Sequence, residues 1–167
     1  IDNNSVFELS GTQDVTPNLW SPHTYVIPAG KTFKGSFNFN WTNSFIYIEG
    51  TWENSSANIA LNGWTIIVQN GGKFISNTPG NFLLNPNNSQ GGQLIIASGG
   101  EFGNQGTPMI ISQNSDQSKI INSGTLGASG FSDIRYLYNY GSINLNGKIN
   151  TYNSSSIVNE GNLIIDN

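Results

Sequence analysis

Ile66-Ile67-Val68-Gln69-Asn70-Gly71-Gly72-Lys73-Phe74 carries a unit that the chain repeats: an apolar strand, a corner containing Asn, a Gly, and an apolar residue two places on. Aligned on that Gly, the pattern returns as Ile96-x-Ser98-x-Gly100-x-Phe102 and Ile120-x-Asn122-x-Gly124-x-Leu126. Leu137-x-Asn139-x-Gly141-x-Ile143 and Ile157-x-Asn159-x-Gly161-x-Leu163 follow, and Ile46-x-Ile48-x-Gly50-x-Trp52 precedes, with Ile in the Asn place. The Gly-to-Gly steps are 22, 28, 24, 17 and 20 residues. Irregular repeats of that length without helical phase predict a β-solenoid rather than a sandwich.

The unit has a physical rationale. Side chains alternate between the faces of a strand, so positions −4, −2, 0 and +2 around the Gly share one face. Apolar residues at −4 and +2 fill the inside of a coil, and the Gly is expected to permit the bend. Asn at −2 both donates and accepts, so Asn side chains stacked in successive rungs are expected to hydrogen-bond along the axis.

Composition narrows the class. Of 167 residues only 10% are charged, against about a quarter in ordinary globular chains, while apolar strand-formers recur throughout and argue against disorder. No i, i+3, i+4 pattern is sustained, so almost no helix is expected. A single Arg135 and five scattered Lys form no basic stripe, which disfavours nucleic acid as a partner. No apolar run is long enough to cross a bilayer as a helix, so membrane insertion is not expected. Cysteine is absent, so neither disulfides nor thiolate metal sites are expected.

In chain order, residues 1–24 lack the repeat and are expected to cap the coil, with Trp20 as a core plug. Residues 25–167 form the coils, about six to eight in number. The words Val26-Ile27-Pro28-Ala29-Gly30-Lys31, Ile48-Glu49-Gly50-Thr51 and Ile66-Ile67-Val68-Gln69-Asn70-Gly71-Gly72-Lys73 resemble secreted right-handed parallel β-helix proteins of bacterial surfaces, of the adhesin or filamentous-haemagglutinin kind. Over residues 25–76 the chain is also similar to the G8 domain of extracellular proteins. The resemblance implies an all-β, single-stranded, right-handed parallel β-helix, secreted or at the cell surface, with polysaccharide-related partners. It transfers no catalytic residue. Asn77–Asn81, Asn85–Gln90, Asn104–Pro108 and Asn114–Ser118 are expected as excursions on one side, the side that often binds. The chain leaves a clean repeat at Leu163–Asn167, so further solenoid coils or a covering copy of the chain are expected beyond it.

Chemistry-bearing residues are few. His23 is the one histidine and no nucleophile elbow accompanies it. Glu49 and Glu53 lie roughly 13 Å apart on a strand, too far for the paired carboxyls of a glycosidase, and both are expected on a solvated face. Asp116 and Asp133 sit near the excursions without acidic partners in sequence. No cofactor, metal or catalytic set is therefore expected. Thr is too sparse and unphased for an ice-binding array.

Aromatics are the better candidates. In Asp133-Ile134-Arg135-Tyr136-Leu137-Tyr138-Asn139-Tyr140 the repeat turns Leu137 and Asn139 inward. Tyr136, Tyr138 and Tyr140 should then stand outward in a row, spaced by about 7 Å, as a stacking platform whose hydroxyls reach sugar. Tyr47 is outward by the same rule. Trp41, Trp52 and Trp64 share the apolar parity and are expected in the core. The function expected from these features is a non-catalytic, extracellular binding domain for carbohydrate or a host or matrix surface. The alternatives are a structural stalk and a polysaccharide-degrading fragment.

Overall fold

The computed structural model describes residues 6–16, 22–39, 43–84, 91–113 and 117–166. Among these residues the protein is all β, with parallel strands stacked as a β-solenoid of about seven turns and no helix. Trp20, Trp41 and Asp116 lie outside the described residues.

Each full coil lays down three strands, which build three faces. Face A stacks Val6–Glu8, Thr24–Ile27, Phe45–Ile48, Thr65–Val68, Gln93–Ile96, Lys119–Asn122 and the C-terminal part of Gly130–Asn139. Face B stacks eight strands, from Gly11–Thr12 through Thr51–Asn54, Lys73–Ser76 and Thr125–Ala128 to Asn162–Ile165. Face C begins with Asn58–Ala60, Asn81–Leu83 and Ile110–Ser112, and continues in the first part of Gly130–Asn139. Gly130–Asn139 and Ile149–Asn159 each run without a break around the corner from face C to face A.

The alternation read from the repeat is what the strands show. Inward residues are fully buried and outward residues partly exposed in strand after strand. Face B lines the interior with Phe33, Trp52, Phe74 and Phe102 in register, followed by Leu126 and Ile143. Successive rings are 5.9, 5.1 and 4.4 Å apart, the last pair stacked face to face. Trp52 and Trp64 are buried in this core, as expected. Each such side chain is worth about 1.5–3 kcal/mol of burial, and an open solenoid has no other core.

Gly at the corner between faces A and B has a different cause from the expected one. Gly50, Gly72, Gly100, Gly124, Gly141 and Gly161 have φ values that any residue adopts. They are glycine because the preceding rung's carbonyl oxygen occupies the place of a Cβ. The clash would be at 1.9 Å for Gly72, 2.1 Å for Gly141 and 2.0 Å for Gly161. Left-handed backbone belongs instead to Gly30, Gly71 and Gly99, inside four-residue corners such as Gln69-Asn70-Gly71-Gly72. Those corners close with Lys31, Gly72 and Gly100 N–H groups donating to Pro28, Gln69 and Ala97 carbonyls.

Corner length also corrects the alignment of the Asn positions. Asn122 pairs with Ile96 and Ile96 with Val68, so Asn70 and Ser98 fall into the longer corners and are exposed. Among the described residues the axial Asn ladder runs through Asn122, Asn139 and Asn159. Asn122 Nδ2 donates to Asn139 Oδ1 at 2.8 Å, and Asn139 Nδ2 to Asn159 Oδ1 at 2.6 Å. The same amides donate to the Ser142 and Asn162 carbonyls, tying each two-residue corner to the next rung.

The two ends differ from expectation in one respect. The segment expected as a cap continues the sheets: Val6–Glu8 pairs in parallel with Thr24–Ile27, and Gly11–Thr12 with residues of Thr32–Gly35. Its described residues cover the coil in the form of one more rung. In the last rung the inward residues Ile157, Leu163 and Ile165 are exposed, since no described rung lies over them.

Candidate functional site

Face A places its outward residues in axial columns. The central column runs Val26, Tyr47, Ile67, Ile95, Ile121, Tyr138 and Val158, each the register partner of the next. All seven are uncharged and partly exposed. At the rung spacing of about 4.8 Å the column is about 29 Å long, and Tyr47 and Tyr138 stand about 19 Å apart within it. The sequence put Tyr47 on the outside without relating it to the Tyr136–Tyr140 row. Register makes it part of the same surface line as Tyr138.

Hydrogen-bonding side chains flank the column. On one side Thr24, Thr65, Gln93 and Lys119 follow one another across the rungs, interrupted by Phe45 between the two threonines, and Tyr136 pairs with Ser156 further along. On the other side the first corner residues include Glu49, Gln69, Ser123, Tyr140 and Glu160. Tyr136, Tyr138 and Tyr140 all point outward, with Tyr140 in the corner and half exposed. They form a row across face A, crossing the central column at Tyr138.

Arg135 sits at the bend between faces C and A, its guanidinium 3.6 Å from the centre of the Tyr152 ring. That bend is held by Gln113, a buried amide that the sequence reading missed. Its Oε1 accepts from the Arg135 and Tyr136 N–H groups, and its Nε2 donates to the Tyr136 carbonyl at 2.7 Å. No sequence pattern marks Gln113, because its partners lie 22 and 23 residues away.

Of the expected excursions Asn85–Gln90 lies outside the described residues, and the described ones do not share one side. Among the described residues, those at Asn77–Asn81 and Asn104–Pro108 sit where face B turns into face C, and Gln117–Ser118 sits where face C turns into face A. They border face C on both flanks. A hollow of about 500 Å³ opens on that face, walled by Leu83, Ile110, Ser112, Ser132, Lys148 and Asn150 among others.

Four of the eight described carboxylates hold side-chain or backbone partners. Glu53 pairs with Lys34 at 2.9 Å and Glu101 with Lys73 at 3.5 Å, both on the outside of face B. Glu49 is exposed at its corner. Asp133 adopts a left-handed φ of 54° and accepts from the Ser132 hydroxyl at 2.9 Å. Asp14 accepts from the Ser36 N–H and hydroxyl, and these bonds hold its pKa below the ordinary carboxylate value. His23 packs edge-on to Phe7, 5.2 Å away, at the N-terminal end of the core. Among the described residues no group of three or more His, Cys, Asp or Glu converges as metal ligands would.

The chain matches no family model, no curated protein and no solved structure.

Proposed function

We propose that this solenoid is a non-catalytic binding domain, secreted or cell-surface, that recognises carbohydrate on the outside of face A. The observation that carries the reading is the uncharged column from Val26 to Val158, with Tyr47 and Tyr138 in it and hydrogen-bonding residues beside it. A sugar ring has an apolar face and a polar rim, and a column of Tyr and aliphatic side chains flanked mainly by hydroxyls and amides, with Lys119, Glu49 and Glu160 among them, is complementary to both. The resemblance of residues 25–76 to bacterial-surface β-helix proteins supports an adhesin role. Low charge and the absence of cysteine fit a secreted chain whose stability comes from its ladders.

A second reading, a structural stalk, is favoured by the regularity of face B, whose eight strands follow one another without a missing partner. A polysaccharide and glycan binding screen, with released reducing ends followed in parallel, separates the readings. Binding without turnover is the expected result, and Tyr47→Ala with Tyr138→Ala should remove it while leaving the melting temperature unchanged. No binding to any glycan would favour the stalk. Turnover lost in a Glu49 or Asp133 variant would replace the proposal with an enzyme.

A further inference from the structure

Gly130 lines the hollow on face C, at a place in the outward column that holds no side chain. Ile110 pairs with Gly130 and Ser112 with Ser132 across adjacent rungs, and Phe131 pairs with Ile149 in the next rung, flanked by Lys148 and Asn150. The outward column therefore runs from Ile110 through Gly130 towards Lys148 and loses a side chain at its middle.

The backbone does not require this glycine. Gly130 has no left-handed φ, and a Cβ there would meet nothing closer than the Lys148 carbonyl oxygen at 3.5 Å, an ordinary contact. Gly141 is the contrast, with the Gly124 carbonyl oxygen 2.1 Å from the place its Cβ would take. Glycine is disfavoured within strands unless a bulge, a bend or a close approach calls for it. The stacking of the rungs does not call for it at Gly130, and what its missing side chain leaves is open space above the sheet.

The walls of that space differ in chemistry. Ile110 is 41% exposed and forms an apolar side. Ser112 and Ser132 line the floor, and Ser132 faces the hollow as an acceptor because its hydroxyl proton goes to Asp133. Asn81 and Asn150 supply amides. Lys148 closes the far side, exposed, and among the described residues no carboxylate lies within ion-pair distance of it. An apolar wall, a ring of hydroxyls and amides, and one free ammonium match a ligand with an apolar face, several hydroxyls and a single anionic group.

We propose that this hollow binds one hexuronate residue, with its carboxylate on Lys148, its ring against Ile110 and its hydroxyls towards Ser112, Ser132 and Asn150. The ligand class rests on the carbohydrate reading, but the surface is separate from face A, so the two can fail independently. The test is an NMR titration of the isotope-labelled protein with glucuronate, glucose and acetate, following backbone amides. Glucuronate should shift Gly130, Ser132 and Lys148 saturably. Glucose, lacking the charge, should bind about five-fold more weakly, and so should glucuronate to Lys148→Gln, because an exposed ion pair is worth that much.

Gly130→Val should abolish the shifts with an unchanged thermal melt, and Ile110→Ala, a wholly outward change, should weaken them if the valine variant misfolds. Tyr47→Ala with Tyr138→Ala should leave the titration unchanged. Acetate binding as well as glucuronate would reduce the site to a bare surface cation. Shifts centred elsewhere, or binding that survives Gly130→Val, would overturn the proposal. Polysaccharide binding to face A with a silent hollow would sink this inference alone.

Discussion

Replacing Asn139 by Leu, alone and together with Asn122→Leu, probes what holds the tight corners of the C-terminal coils. Asn139 is fully buried and makes three side-chain hydrogen bonds, to Asn122, Asn159 and the Asn162 carbonyl. Leucine has the same number and branching of side-chain heavy atoms and leaves no cavity, although its two methyls make it the larger residue. The single change strands half the donor capacity of buried Asn122, whose Nδ2 keeps only the Ser142 carbonyl at 3.0 Å. Three lost bonds at about 1 kcal/mol each, partly offset by apolar burial, give a net cost of about 2 kcal/mol.

Asn122→Leu alone costs about the same, because it leaves the Asn139 Oδ1 buried without its donor. The double variant removes both partners of the shared bond and continues the apolar column Ile27, Ile48, Val68 and Ile96 of the earlier rungs. Its cost should fall below the sum of the singles by about 1–2 kcal/mol. Urea midpoints followed by far-UV circular dichroism measure all four corners of the cycle. Each kcal/mol also moves the melting temperature by about 2–4 °C for a chain of this size. Additive costs would mean that the stacked amides do not act as a unit. A single Leu that stabilises would mean that burial outweighs the ladder.

Three further outcomes follow from the geometry. Gly141→Ala should destabilise by about 2 kcal/mol or more, since its Cβ would lie 2.1 Å from the Gly124 carbonyl oxygen, whereas Gly130→Ala should be within about 0.5 kcal/mol of neutral; paired denaturant midpoints decide it. The Asp14–Ser36 bonds lower the Asp14 pKa in the fold, so their contribution is complete above the unfolded value of 3.8 and is lost as pH falls through the lower folded value. Protection of the Ser36 amide from hydrogen exchange should therefore weaken on acidification below pH 3.8 in the native protein and lose that dependence in Asp14→Asn. Alanine at both Tyr47 and Tyr138 should remove glycan binding with a melting temperature within a few degrees of the native one; an intact binding isotherm would refute the role of face A.

Much of the coil was legible because two local rules act at every rung. Strand alternation put Ile66, Val68 and Phe74 inside and Ile67 outside, and each of these positions was found so. The outward parity of Tyr47, Tyr136 and Tyr138 followed from the same period of two. What the alignment missed was corner length. The four-residue corners at 69–72 and 97–100 and the two-residue corners all end in the stacked Gly, so counting back from Gly places Asn70 and Ser98 with Asn122, while their backbones sit in a loop. Glycine itself carries no label for its purpose. Gly71 is there for a left-handed φ, Gly141 for a carbonyl one rung away and Gly130 for neither.

From the sequence alone came the period, the face each strand residue takes, the all-β class and the scarcity of charged chemistry. These depend on interactions within one coil or on composition. The tertiary structure decided which residues stand above one another: the seven-membered column on face A, the Gln113 clamp on the bend and the hollow at Gly130. Their members are separated by 17 to 28 residues and come together only when rungs stack. Axial neighbours are set by the summed lengths of three corners per coil, and a change of two residues in one corner shifts the count without altering the local pattern that a sequence displays.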